Sequence, residues 1–599
     1  MAKKWILKEK QENNNNPGLH PVIFQLLANR GFSIDEIEKF LKPDYKEGLH
    51  DPFLFKDMKS AVELILKHLE DGNRIVIYGD YDADGVTATA VMQKTLEFLG
   101  CKNLDIYIPH RESEGYGINK TAIEEIADGG AKLIITVDTG IRSIDEIALA
   151  KEKGMDVILT DHHETGEKIP NCLIINPKVK GEKCPFRDLA GVGVAFKVAQ
   201  ALLTTPNRSL IGRGIKTDEQ QRENEVFEKW LLDLVAIGTI ADLMPLVNEN
   251  RVLVNYGLVV LNKTQRIGIK KLMEVAQSDT DKDGNKRDVD AWQIGYQLAP
   301  RLNAAGRLGR ANTAYELLIT KDEQEAIKIA NELNNTNKER QNITQEIFEQ
   351  AEKALTGSNK EKILFAICPS LVFPCPQGEG VGGEGFWPSG VMGLVAGKLT
   401  EKYYRPSLAI TNKEGNEGLQ IVGSGRSIAE FDLVAALEEC SEFLTHYGGH
   451  KQAAGFTIAE GKLDEFMQKI TAVADRELKN KELIPTLEID LEIDFNDVSE
   501  DLYEMLQKLK PFGVKNAQPK FITKKLKVIN INNMGNEKQH LKLKLQQNKF
   551  IFDAVGFSVP DEWKNIKVGD QTDLVYYINM NEWNGSRSVQ LKIVDLKIS

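Results

Sequence analysis

The sequence predicts an α/β protein in which two α/β lobes are joined by a long helix and followed by a small C-terminal β-barrel. Three observations carry this. Residues 74–201 alternate short β-branched runs with helical stretches, the pattern of a doubly wound parallel sheet. Residues 321–355 contain no Gly or Pro and are rich in Glu, Lys, Gln and Ala, which reads as one continuous helix. Beyond Pro485 the texture changes to alternating runs at 487–493, 521–531, 540–545, 551–557, 572–580 and 589–598, enough strands to close a barrel.

Taken in order, residues 1–70 read as an accessory segment, with a loop at the four asparagines 13–16 before Pro17 and Gly18 and a short helix at 32–41 stopped by Pro43. The first lobe is expected over 71–315, the connecting helix within 316–357, the second lobe over 358–480 and the barrel over 481–599. Within the first lobe, the polar stretch 209–225 reads as a surface excursion, and helical patterning resumes over 230–261, through Asp242. The loop 278–288 begins like a calcium loop but lacks the closing Glu, so that reading is rejected.

At 599 residues the chain is too long for a single core. A hydrophobic content of 42% with 27% charged residues is that of an ordinary globular protein, and no stretch has the ~20 apolar residues of a membrane helix. The start lacks a signal-peptide core, and six cysteines without paired spacing fit reduced thiols, so a cytoplasmic protein with no membrane partner is expected. The net charge of −12 argues against a nucleic-acid partner only as a sum. Residues 506–550 hold eleven lysines and one acid, Glu537, either a cationic track for a polyanion or a solvated sheet edge guarded against aggregation.

The chemistry is concentrated at the ends of apolar runs. Tyr78-Gly79-Asp80-Tyr81-Asp82-Ala83-Asp84-Gly85 follows Arg74-Ile75-Val76-Ile77, Val137-Asp138-Thr139-Gly140 follows Leu133-Ile134-Ile135, and Asp161-His162-His163 comes one residue after Val157-Ile158-Leu159. Asp242 closes Gly238-Thr239-Ile240-Ala241-Asp242. Ligands bind at the carboxyl ends of strands in open parallel sheets. Any one of these segments alone would read as a solvated turn or helix cap. Four acidic segments in one repeated frame point instead to hard carboxylate and imidazole ligands for Mn²⁺ or Mg²⁺, two such ions being the apparatus of phosphoester hydrolysis.

These segments, together with Ile108-Pro109-His110-Arg111, Glu114-Gly115-Tyr116-Gly117, residues 189–195, 238–245, 299–307, 424–427 and 448–455, make the chain resemble the RecJ family of single-stranded-DNA-specific exonucleases, within the DHH phosphoesterases. The resemblance runs from about Trp5 to the C-terminus, where Asn581-Glu582-Trp583-Asn584-Gly585 lies in a stretch similar to the family's OB-fold. It implies that the two lobes are a DHH domain and a DHH-associated domain. It also implies that Asp80, Asp82, Asp84, Asp138, His162 and Asp242 hold metal, with Asp138 as the bridge. Asp161 is expected to orient His162 and fix its tautomer, and His163 to face the scissile phosphate. Arg301, Asn303 and Arg307 are expected to contact DNA, Arg111, Ser424 and Arg426 to hold a terminal 5′-phosphate, and Gly448, Gly449 and His450 to meet a phosphate near the metals. The implied activity is stepwise 5′→3′ hydrolysis of single-stranded DNA to 5′-mononucleotides in repair and recombination. A single-strand-binding protein and a helicase are the implied partners.

Three places depart from the family pattern. Trp387 is followed by Pro388 rather than His, and residues 367–385 are dense in Pro and Gly where a buried strand is expected, as in an insertion or a sequence error. In addition, Pro511-Phe512-Gly513-Val514-Lys515-Asn516-Ala517 lacks the residues that flank its Asn in the family, which weakens the expected hinge into the barrel. Two other functions remain open at this level: a related phosphodiesterase for short oligonucleotides or cyclic dinucleotides, and a non-catalytic DNA-binding scaffold.

Overall fold

The computed structural model describes residues 3–11, 18–110, 114, 117–205, 218–280, 284–308, 311–355, 361–372, 387–415, 418–535, 539–583 and 586–598. The sheet of the first lobe has five parallel strands in the spatial order Leu104–Tyr107, Ile75–Tyr78, Leu133–Val137, Asp156–Thr160, Leu173–Ile175. Its central strands are buried along their length because both faces are covered, which is why they read as unbroken apolar runs. Ile75, Ile77, Ile135 and Ile158 join the large core on one face, and Val76, Ile134, Val157 and Leu159 join a smaller core on the other. Ile75–Tyr78, the first strand of this sheet along the chain, lies between the second and third, so connections leave its two sides in opposite senses. That reversal opens a crevice at the carboxyl ends of Ile75–Tyr78 and Leu133–Val137, where the acidic segments begin.

The connecting helix is Glu323–Ala354, capped by Asp322, whose side chain accepts from Glu325 N. It leads to a mixed five-stranded sheet ordered Leu444–His450, Ala453–Ile458, Gly418–Arg426, Ser407–Gly415, Leu364–Ile367, with only the last pair parallel. A strand forms at Leu364–Ile367, ahead of the Pro/Gly-dense stretch, and Trp387 beyond it is buried with its indole N–H donating to Gln350 at 3.0 Å. Residues 373–386, the body of the Pro/Gly-dense stretch, lie outside the described residues.

The C-terminal strands Phe521–Met534, His540–Gln547, Phe550–Gly556, Ser586–Ile598 and Gln571–Trp583 pair in that order, and the last pairs back on the first to close a barrel. The first 70 residues divide between two cores. Helices Pro21–Asn29 and Ile34–Leu41 bury Leu26, Leu27 and Phe40 with Phe495, Leu502 and Phe521 of the barrel domain, whereas helix Met58–Glu70 packs Met58, Val62 and Ile65 into the first lobe. The junction is firmer than the departures around Asn516 suggest. Buried Asn516 donates to Leu509 O and Pro511 O and accepts from Arg30 at 3.0 Å. Arg251 of the first lobe, itself buried, donates to the carbonyls of Phe40, Lys508 and Leu509 and lies 3.8 Å from the centre of the Phe40 ring.

Candidate metal centre and nucleic-acid interface

The acidic turn leaves strand Ile75–Tyr78 and becomes helix Ala83–Phe98, for which Asp82 is the N-cap, its Oδ1 accepting from Asp84 N at 2.9 Å and Gly85 N at 3.0 Å. Asn303 Oδ1 accepts from Ala83 N at 2.8 Å, so part of this predicted DNA-binding residue is spent on shaping the turn. Asp84 points the other way, into the first turn of helix Gly191–Thr204, where its oxygens accept from Gly191 N at 2.7 Å and Val192 N at 2.9 Å. Asp138 sits just past strand Leu133–Val137 with φ of 61°, a left-handed conformation that costs a non-glycine residue energy and is found where function demands a particular side-chain direction. Gly191 makes room for it: a Cβ there would lie 2.4 Å from Asp138 Oδ1. Asp242 is no strand end; it is the C-cap of helix Leu232–Ala241.

These groups converge on one imidazole. His162 Nε2 lies 3.1 Å from Asp138 Oδ1, 3.5 Å from Asp242 Oδ2 and 3.8 Å from Asp84 Oδ2. The candidate ligand atoms form three overlapping sets, Asp80–Asp82–Asp138, Asp138–His162–His163 and Asp84–His162–Asp242, each within 4.8 Å. Asp138 thus stands in two of them. Asp138 Oδ1 and Asp242 Oδ2 are buried without a hydrogen bond, and among the described residues the ion pairs of Asp84, Asp138 and Asp242 are all with histidines. Burial, followed by the charge of neighbouring carboxylates, holds Asp138 and Asp242 well above the ordinary carboxylate pKa and pushes Asp84 up to about 7. A cluster that repels itself in this way is made whole by divalent cations, and its oxygen and imidazole donors suit Mn²⁺ or Mg²⁺.

One expectation is overturned. Asp161 does not orient the His162 ring; it reaches His162 only at the backbone N–H, 2.7 Å away. Its Oδ1 lies 2.8 Å from His163 Nδ1 and also accepts from His163 N, while Oδ2 accepts from Ile141 N. The chain turns so that the ring of His163, not that of its neighbour, lies over the carboxylate. Burial alone would lower the pKa of His163, but the hydrogen bond and charge of Asp161 outweigh it and raise the value to about 9. His162, by contrast, is driven to about 3 by burial and by the charge of His163, and so stays neutral, as a ligand must. Buried Asn176 donates to His163 O at 3.0 Å, a supporting contact that no motif announced.

The basic groups are reached from the acidic turn by contact. A Cβ on Gly306 would lie 2.6 Å from Tyr81 O, so helix Ala299–Arg307 abuts the turn. Arg307 then donates to Gly390 O at 3.0 Å, just before helix Met392–Tyr403, and a Cβ on Gly393 of that helix would lie 2.9 Å from Arg426 Nη2 and 3.0 Å from Ser424 Oγ. Strand pairing aligns Ser424 with Gly455 and Gly448, and Arg426 with Ala453 and His450, so these predicted residues lie in two rows across one sheet. Gly449 and His450 are exposed on the edge strand. Arg301 donates to Asn334 Oδ1 of the connecting helix at 3.1 Å and to Gln297 O at 2.6 Å. Arg111 lies outside the described residues.

Comparison with known proteins agrees with this geometry. Family models match residues 74–239 (DHH family, N-terminal domain), 375–476 (DHHA1 domain) and 489–595 (RecJ OB domain). The chain is 36% identical to the single-stranded-DNA-specific exonuclease RecJ of Bacillus subtilis, over 97% of this chain and 68% of that one. With the protein of the same name from Escherichia coli K12 it shares 32% identity, over 98% and 97%. The crystal structure of RecJ in complex with Mn²⁺ from Thermus thermophilus superposes with a TM-score of 0.76 at 25% identity, covering 99% of this chain and 79% of that one. Sequence, domain order and fold therefore place this chain in the RecJ family of DHH-domain proteins.

Proposed function

We propose that this chain is a divalent-metal-dependent exonuclease that hydrolyses single-stranded DNA from its 5′ end, releasing 5′-mononucleotides in DNA repair and recombination. The observation that carries the reading is the buried carboxylate cluster around His162, whose Asp138 and Asp242 oxygens lack a hydrogen bond and have only histidines as ion-pair partners among the described residues. In that reading Asp80, Asp82, Asp84, Asp138, His162 and Asp242 hold two Mn²⁺ or Mg²⁺ ions, which supply Lewis acidity and neutralise the charge of the phosphodiester.

The remaining groups bind and orient. His163, held as an imidazolium with Nδ1 committed to Asp161, meets a phosphate oxygen through Nε2. Ser424, Arg426 and the first turn of helix Met392–Tyr403 grip a terminal phosphate, with Arg111 as a further candidate. A terminal phosphate carries more charge than an internal diester, so this grip selects an end and sets the 5′→3′ direction. Arg301 and Arg307, with Asn303 shaping the turn beside them, and the edge-strand Gly448, Gly449 and His450 line the route between these sites. The lysine-rich barrel tracks the continuing strand. No helix among the described residues is long and apolar enough to cross a membrane. An enzyme of this kind needs strand already unpaired, which a helicase and a single-strand-binding protein would deliver.

The test is product analysis with end-labelled single strands, with and without chelator. Stepwise mononucleotide release with Mn²⁺, abolished by chelation and by Asp138→Ala while DNA binding persists, is the expected result. Cleavage confined to dinucleotides, or binding without any cleavage, would overturn it.

A further inference from the structure

We infer that Trp292 and Tyr296 form a stacking platform for unpaired bases at the rim of the metal centre, an inference that rests on single-stranded DNA being the substrate. The two rings lie with centroids 5.3 Å apart and planes 26° from parallel, yet they are 55% and 71% exposed. A stacked indole and phenol left in water forgo the burial that normally stabilises such side chains. Tyr296 and Leu243 (70% exposed) are the most exposed large hydrophobic side chains among the described residues, and both lie by the C-terminal end of helix Leu232–Ala241, which Asp242 caps. Leu243 follows Asp242 directly. Gly295, the neighbour of Tyr296, packs on Ile240, where a Cβ would lie 3.6 Å from Ile240 Cγ2.

The pair also sits where the other parts of the nucleic-acid route meet. Trp292 belongs to the turn Ala291–Gln293 and Tyr296 to the π-helical turn Ile294–Leu298, a wide turn of the kind that recurs at functional sites. Arg301 braces that turn by donating to Gln297 O, and the helix it begins, Ala299–Arg307, runs on to the acidic turn. The barrel domain reaches the same region. Lys510 pairs with Asp290, the N-cap of the Trp292 turn, at 3.9 Å, and Leu246 N donates to Val514 O at 2.9 Å. Burial, Asp490 and Tyr296 together hold the Tyr577 hydroxyl of strand Gln571–Trp583 above its ordinary pKa, which places Tyr296 within electrostatic reach of the barrel.

An apolar double ring between arginines and a lysine-rich barrel fits a ligand with charged edges and flat apolar faces. Unpaired bases are that ligand. Every base has a π-face, so stacking tolerates any sequence, as an enzyme that degrades strands end to end requires. Paired bases have their faces covered, so the platform also discriminates against duplex.

The experiment uses the full chain with chelator to prevent cleavage, and fluorescence anisotropy of a long 5′-phosphorylated single strand. Trp292→Ala and Tyr296→Ala should each weaken binding about tenfold, and Trp292→Phe and Tyr296→Phe should retain most of the affinity, since a phenyl ring still stacks. The salt dependence should be unchanged, because no phosphate contact is lost. A strand abasic near its 5′ end should bind the wild type weakly and the double alanine variant no worse than an intact strand does. Wild-type affinity in the double alanine variant would overturn the platform alone and assign the pair to another partner, such as a protein. Failure of the wild type to bind any single strand would overturn the substrate class and the platform with it.

Discussion

Asp161 Oδ1 and His163 Nδ1 are 2.8 Å apart, and the carboxylate is pinned from its other oxygen by Ile141 N at 2.9 Å. An acid with both oxygens engaged fixes its partner's ring and holds a proton on it. Asp161→Asn removes the charge but keeps the shape, so the pKa of His163 should fall from about 9 toward the ordinary histidine value. If His163 acts as an imidazolium on the phosphate, the alkaline limb of the pH–rate profile moves to lower pH. The loss, on the order of 10- to 100-fold, is then larger at pH 8 than at pH 6. An unshifted profile would remove His163 from the reaction.

The crowded carboxylates make metal-free stability depend on pH. Asp84 has a folded pKa of about 7, raised above its unfolded value, so its contribution is complete at acid pH and is lost as pH rises through about 7. Asp138 and Asp242 act in the same direction. His163, raised to about 9, likewise contributes below its unfolded pKa and loses that contribution as pH rises through about 9. His162, depressed to about 3, opposes them, stabilising above its unfolded pKa and ceasing to do so as pH falls through about 3. The chelated chain should therefore melt at progressively lower temperature as pH rises from about 5 to 9. Mn²⁺ at roughly 100 times its Kd adds about 2.7 kcal/mol. Because protons compete for the same oxygens, that gain should be smallest at acid pH. A thermal-shift titration whose Mn²⁺ increment was greatest at pH 5 would contradict the ligand set.

How far the site could be read in advance depends on how local its determinants are. Asp80, Asp82, Asp84 and Asp138 stand at the ends of apolar runs, and the parallel sheet carries strand ends to one edge, so their convergence was legible. The long helix was legible too, from an uninterrupted run of helix formers. The partner of Asp161 was not, since spacing cannot say which of two adjacent rings turns back over a carboxylate. Nor could pattern show that helices near the N-terminus complete the barrel's core, because Arg30 meets Asp490 across 460 residues of chain. Trp292 and Tyr296 belong to no motif in the sequence, and only the fold shows that their rings are stacked and exposed.

Gly191 offers a test of the metal centre that replaces no candidate ligand. A methyl group there would meet Asp138 Oδ1 at 2.4 Å and its Cβ at 2.5 Å, inside a fully packed crevice. Gly191→Ala should therefore displace Asp138, costing about 1–3 kcal/mol of stability. Turnover should fall by on the order of 100-fold, because a carboxylate shared by two of the candidate ligand sets is moved by about an ångström. DNA affinity in chelator should be unchanged, since the arginines lie on other elements. A variant that melted lower yet cleaved normally would show that Asp138 is not held where the reaction needs it.

Arg426 tests the end-recognition half of the proposal separately from the metals. Burial lowers its pKa, and its Nη1 donates to Gly425 O at 2.9 Å, so the guanidinium is anchored at one corner beside the first turn of helix Met392–Tyr403. A fork held there can grip a phosphate with two parallel bonds, which an ammonium cannot do. Hydrogen bonds to a charged group contribute about 1.5–3 kcal/mol, so Arg426→Ala should reduce the preference for 5′-phosphorylated over 5′-hydroxyl strands by roughly 10- to 100-fold. Arg426→Lys should restore only part of it, keeping the charge without the fork. Degradation of 5′-hydroxyl strands should be nearly unaffected in both variants, because the carboxylate cluster stays intact. Equal losses on the two substrates would place Arg426 on the strand at large and leave the chosen end to other residues.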